Sequence, residues 1–182
     1  IYSPYKLIIT NVGDSRAFLG KFLNNKWTSF ELTQDHKPTL LSERRRIIEM
    51  GGRIEPIRDF DGSCIGPMRV LLKDADYPGL AMSRSFGDQI AHSVGVSEKP
   101  DIKEYEFKEE DKFLVISSDG LFEFITNQKI VEIIKDYYLK GDIVDCCEFL
   151  YKIAREKWLK QEEVVDDITR ILGFFEDDKK HI

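Results

Sequence analysis

The sequence predicts an α+β fold built on antiparallel sheet, and three observations carry that expectation. Apolar, β-branched runs open the chain in hairpin-like succession, two amphipathic helical patterns follow one another late, and a strand-like run closes it. Strands first and paired helices later favour α+β over alternating β-α units. The 182 residues are one domain's worth of chain, enough to bury a core without staples.

Taken in order, Tyr5 to Val12 runs into Gly13-Asp14, a strong turn signal, and Arg16 to Phe22 returns, so the start reads as a hairpin. Lys26 to Leu32 reads as a third strand. Thr39 to Met50 places Leu40, Leu41, Ile47 and Ile48 at helical spacing and stops at Gly51-Gly52. Its Arg44, Arg45 and Arg46 read as a solvated face, with a phosphate-contacting patch as the alternative. Arg53 to Pro78 shows turn residues and little periodicity, which predicts an irregular excursion. Phe113 to Ile116 reads as a buried strand that ends at Ser117-Ser118-Asp119-Gly120. Asn127 is placed to cap a helix carrying Ile130, Ile133, Ile134, Tyr137 and Tyr138 on one stripe. A second helix from about Asp142 puts Cys146, Cys147, Leu150 and Ala154 on its inner face. Ile168 to Phe175 closes the chain as a strand.

Composition narrows the function. A net charge of −6 and a pI near 5.2 argue against a generic nucleic-acid or anionic-membrane surface. No run approaches the ~18 apolar residues of a membrane span, and no signal peptide is expected at the start. Three cysteines, with no CxxC, read as buried thiols in a reducing cytoplasmic or nuclear compartment. There is no GxSxG, no P-loop and no Cys/His arrangement for a nucleophile. His181 lies in a charged tail and His92 in a loop, while turn chemistry explains His36 as well as catalysis would.

Carboxylates at strand ends are the better lead. Asp119 follows the 113–118 strand, and Asp166 and Asp167 precede the closing one. If these strands are antiparallel neighbours, the three carboxylates share one edge, and Asp14 joins them if the first hairpin points the same way. Such a cluster needs a cation to neutralise it, and oxygen ligands without Cys or His favour Mg²⁺ or Mn²⁺. A turn role explains each Asp equally well when it is taken singly.

Read as strings, these segments resemble the metal-dependent Ser/Thr protein phosphatases of type 2C, the PPM family. The matches are Asn11-Val-Gly-Asp-Ser-Arg-Ala17, Leu32-Thr-Gln-Asp-His-Lys-Pro38, Glu43 with Arg46-Ile47 and Gly51-Gly52, Gly79-Leu-Ala-Met-Ser-Arg-Ser-Phe-Gly-Asp88, Pro100-Asp101, Ser118-Asp-Gly-Leu121 and Asp166-Asp-Ile-Thr169. All of them occur in family order. Gly66 to Val70 through Pro78-Gly79 further resembles the branch found in plants and protists.

The resemblance implies a sandwich of two antiparallel β-sheets flanked by α-helices, with a two-metal centre at one end. It implies Asp119 and Asp166 as ligands of that centre, beside Gly120, with Asp167 standing where the family has Asn. Asp14 and Glu123 match a third, weaker metal site, although the family usually has Asp at the latter position. Arg84 and Asp88 would organise the site. The implied cofactors are Mg²⁺ or Mn²⁺, and the implied reaction is attack of a metal-activated water on phosphoserine or phosphothreonine, with no covalent phosphoenzyme.

Residues 1–175 then read as the C-terminal two-thirds of a phosphatase domain, 53–78 as its flap-like region and 176–182 as a charged tail. The family's phosphate-binding Arg and its Asp-Gly-His-Gly-Gly segment, which carries the acid His, do not occur in the sequence. No residue here is therefore assigned a catalytic acid role, and the chain by itself is expected to be weak or inactive. The alternative reading is a catalytically dead, phosphatase-like binding module, motivated by Glu123 and the missing segment. Retention of Asp119 and Asp166 favours the enzyme. Phosphoprotein substrates are the expected partners, not nucleic acid or membrane. A chain lacking part of a sandwich should also self-associate through exposed sheet, which light scattering at high concentration reads directly; a clean monomer would count against it.

Overall fold

The computed structural model describes residues 6–175, so Tyr5, His181 and the tail at 176–182 lie outside the described residues. The chain divides into two compact units. One comprises Ile1–Ile9, Ser15–Gln34 and Ile102–Ile182, and the other Thr10–Asp14 and Asp35–Asp101.

The first unit is built on four antiparallel strands, in the order β3 (Lys26–Glu31), β2 (Arg16–Leu23), β8 (Asp111–Ser117), β9 (Arg170–Phe174). Side chains alternate across a strand, so each strand serves two cores. Phe18, Phe113, Val115, Leu172 and Phe174 face helices α3 (Asp119–Phe122), α4 (Asn127–Lys140) and α5 (Ile143–Gln161). Ala17, Leu19 and Leu114 face Leu7, Ile9 and Tyr105, carried by a second sheet of β1 (Lys6–Asn11) and β7 (Asp101–Glu106). Within this unit the result is a layer of helices, a four-stranded sheet and a two-stranded sheet. Gly20 lies opposite Phe113, and a Cβ there would sit 2.0 Å from the ring, so this strand position admits no side chain.

The expected hairpin between the first two strands does not form. β1 pairs with β7, whereas β2 pairs with β3 and β8. Leu7, Ala17 and Leu19 bury in one core, so β1 stacks on the face of the sheet that contains β2 and does not lie beside it. The turn at Gly13, with φ 103°, bonds instead to His36. The tight hairpin is β2–β3, where Asn24 and Asn25 take φ 51° and 60° as a type I′ turn requires.

Helix α4 presents its predicted stripe to the core, but its cap is one residue earlier than expected. The Thr126 side chain accepts from the Lys129 N–H. Asn127 is buried instead, accepting from Arg16 (2.8 Å) and donating to Glu31 (3.0 Å). Asp142 caps α5 by accepting from Asp145. Cys146 is buried and burial pushes its thiol up to about 12, which makes it inert, while Cys147 is half-buried and Cys64 exposed.

In the second unit, α1 (Leu41–Glu49), α2 (Gln89–His92) and an antiparallel sheet of β4 (Arg53–Arg58), β5 (Cys64–Leu72) and β6 (Ala75–Leu80) enclose a small core of Ile47, Ile54, Val70, Ala91, Val94 and Val96. The stretch expected to be irregular is thus a meander. Its period was hidden because the first five residues of β5 are exposed and the β4–β5 register shifts between Pro56 and Ile57. Leu41 and Ile48 are exposed on α1, so of its three apolar positions only Ile47 reaches the core. Among the described residues no helix is long and apolar enough to cross a membrane.

Candidate functional site

The end of β8 and the start of β9 form one edge of the four-stranded sheet, because Ser117 pairs with Arg170 in antiparallel register. Beyond that pair the two segments stay joined. The Ser118 N–H donates to the Thr169 carbonyl (3.0 Å), and the Thr169 N–H returns to the Ser118 hydroxyl (3.1 Å). That hydroxyl donates in turn to the Asp167 carbonyl at 2.9 Å. The structure therefore brings Asp119, half-buried at the start of α3, to the same edge as exposed Asp166 and Asp167. An Asp166 oxygen accepts from the Asp167 N–H at 2.7 Å. Gly120 permits the approach, since a Cβ there would lie 2.5 Å from the Asp167 carbonyl oxygen. Glu123 follows at the end of α3, exposed, with its N–H on the Asp119 carbonyl at 2.9 Å.

The other sequence-derived residues belong to the second unit. Asp14 is buried and ion-paired with Lys37, so an ammonium already balances its charge. The premise that a β1–β2 hairpin would carry Asp14 toward Asp119 fails with that hairpin. Arg84 is committed to carboxylates: it donates to both oxygens of Glu43 (3.1 and 2.8 Å) and to Asp101 (2.8 Å). Asp88 is exposed, with φ 22°, and its carbonyl accepts from His92 at the start of α2.

Glu43 is the residue that sequence reasoning undervalued. It is 1% exposed and takes hydrogen bonds from Arg46 (3.0 and 2.7 Å), Arg84 and the Ser83 hydroxyl (2.7 Å). Burial alone would raise its carboxyl, but donation from Arg84, Arg46 and Ser83 outweighs desolvation and holds it at about 2, against an ordinary 4.5. Arg46 is accordingly no part of a solvated face, while Arg44 and Arg45 are exposed. The sequence signals were the match of Glu43 and Arg46-Ile47 to the family strings and the i, i+3 spacing of Glu43 and Arg46, and neither shows the bonds from Arg84 and Ser83.

His36 is buried and structural. The Gly13 N–H donates to Nδ1 (3.1 Å), so Nε2 carries the proton and donates to Asp101 (3.1 Å). Burial opposes the charge on Asp101, yet donation from His36 and Arg84 holds its carboxyl below the usual range.

The edge at Asp119 and Asp166 offers side-chain oxygen alone, which suits a hard divalent cation. Among the described residues no three His, Cys, Asp or Glu side chains group as a metal site, so the edge by itself supplies no more than part of a coordination shell. Mg²⁺ is often held through one or two carboxylates and keeps several waters, and that requirement is within reach of the edge.

Comparison with known proteins bears on this geometry. The sequence model of the family described as Protein phosphatase 2C matches residues 1–161. Probable protein phosphatase 2C 48 of Oryza sativa subsp. japonica is 32% identical over 176 residues, covering 93% of this chain and 48% of that protein. Probable protein phosphatase 2C 33 of Arabidopsis thaliana is 38% identical over 129 residues, covering 70% of this chain and 25% of that protein. The chain thus spans between a quarter and a half of these relatives' lengths. Among solved structures, a serine-threonine phosphatase 2C from Toxoplasma gondii superposes with a TM-score of 0.80 at 22% identity, over 96% of this chain and 56% of its own, a likeness of fold.

Proposed function

Because the chain belongs to the protein phosphatase 2C family, we propose that it serves as a protein phosphatase acting on phosphoserine and phosphothreonine in phosphoproteins, with Mg²⁺ or Mn²⁺ as cofactor. The observation that carries this reading is the sheet edge at which the Ser118 hydroxyl holds the Asp167 backbone alongside Asp119. Asp119 and Asp166 would hold the principal metal, and Glu123, at the end of the same short helix as Asp119, is the candidate for a weaker site. A divalent ion so bound supplies charge neutralisation at phosphate oxygens and acidifies water. Arg84 acts on this reading as an organiser, since Glu43 and Asp101 already take its donors. The 182 residues alone are expected to turn over slowly, because the sequence contains no Asp-Gly-His-Gly-Gly segment.

Phosphate release from a phosphothreonine peptide tests the proposal. Slow release that requires Mn²⁺, stops in EDTA and falls a further ~10²-fold in Asp119→Ala is the expected result. Release that persists in EDTA, or is unmoved by Asp119→Ala, would overturn it. Tight peptide binding with no release at all would favour the alternative of a phosphatase-like binding module.

A further inference from the structure

Asp119 lies between two residues, Ser118 and Gly120, that are each pinned from outside the short helix it opens. Helix α3 is four residues long and no side chain caps its start, so the helix does little by itself to fix where Asp119 points. On one side, Ser118 donates to the Asp167 carbonyl (2.9 Å) and accepts from the Thr169 N–H (3.1 Å). On the other, the Trp158 indole N–H donates to the Gly120 carbonyl at 2.7 Å. The indole is itself held, edge-on to Phe124 with centroids 4.9 Å apart and planes at 79°. Trp158 sits in the polar end of α5, where an indole is needed neither for helix formation nor for the main core.

We infer that Ser118 and Trp158 are positioning residues, a staple that sets the separation of the Asp119 and Asp166 carboxylates for a divalent cation. Ser118 ties the two segments to each other, and Trp158 ties the turn to α5. The proposal rests on the metal-holding role given above to Asp119 and Asp166. Outer partners of this kind are worth roughly 10- to 100-fold in metal affinity.

The test is Mn²⁺ binding to the 182-residue chain, followed by water-proton relaxation, with melting in EDTA as a separate reading of the fold. Ser118→Ala and Trp158→Phe, which keeps the ring and loses the N–H, are each expected to weaken Mn²⁺ about tenfold. Ser118→Thr, which keeps the hydroxyl, should restore most of the loss. A merely structural role would lower the melting temperature in EDTA and leave the Mn²⁺ affinity of the folded chain unmoved. Binding that is lost in Asp119→Asn yet unchanged in Ser118→Ala and Trp158→Phe overturns the staple alone. Wild-type binding no tighter than that of Asp119→Asn overturns the metal-site reading, and the staple with it. Should Trp158→Phe fail to fold, Ser118→Ala and its Thr counterpart decide the matter.

Discussion

Glu43→Ala is expected to destabilise the chain by about 3–5 kcal/mol, the cost of breaking a buried ion pair by removing one partner. The side chain is 1% exposed and answers two guanidinium groups and a hydroxyl at once. Without it, Arg46 keeps the carbonyls of Gly95 and Ser83 and Arg84 keeps Asp101, but neither keeps its buried counter-charge. The same carboxyl gives a pH signature. Its folded value near 2 lies below the ordinary 4.5, so the unfolded chain takes up the proton first. Its contribution, about 3 kcal/mol, is complete above pH 4.5 and is lost as pH falls toward 2. Urea unfolding at neutral pH and again near pH 3 measures both effects. A wild-type chain whose stability is flat across that window, or a Glu43→Ala chain as stable as wild type, would remove Glu43 from the centre of the second unit.

Gly120→Ala is the second large effect, and two terms compete in it. Within a helix, alanine is favoured over glycine by about 1 kcal/mol. Against that, the new Cβ would lie 2.5 Å from the Asp167 carbonyl oxygen and 3.1 Å from the Asp167 carbonyl carbon and Ile168. Backbone atoms cannot swing aside as a flexible side chain can, so overpacking of about 1–3 kcal/mol is expected to win. The relief would separate the segment of Asp119 from that of Asp166, so Mn²⁺ affinity should fall along with the urea midpoint. A raised midpoint would mean that the approach is looser than 2.5 Å and that helix propensity decides.

How much of this was legible beforehand follows from where residues face. β8 and β9 were legible as apolar runs, and helices α4 and α5 each bury one stripe, which leaves a helical period in the sequence. β5 buries only its second half, so the meander in which it is central left none. Thr126 and Asn127 are both good capping residues, and only the burial of Asn127 between Arg16 and Glu31 decides which one caps. The carboxylate edge was legible only as a condition: Asp119 and Asp166 share an edge if the strands beside them are antiparallel neighbours, and the structure supplies that pairing. The partners of Ser118, Trp158 and Glu43 were not legible: Ser118 and Glu43 stand in family-like strings and Trp158 in a charged stretch, and none of the three shows its partner in line.

The sequence by itself determined the family and the α+β class, because motif order and buried periodicity are properties of the chain read in line, and it named the carboxylates proposed here as metal ligands. Tertiary structure alone decided that β1 stacks on the face of the sheet carrying β2 instead of pairing with that strand, and that Glu43 lies under two arginines. It also decided that Gly120, Ser118 and Trp158 hold one turn in place. Apart from Glu43 and Arg46, three positions apart on one helix, those are contacts between residues tens of positions apart, and a hydrogen bond or a steric approach across that separation leaves no local trace in either partner.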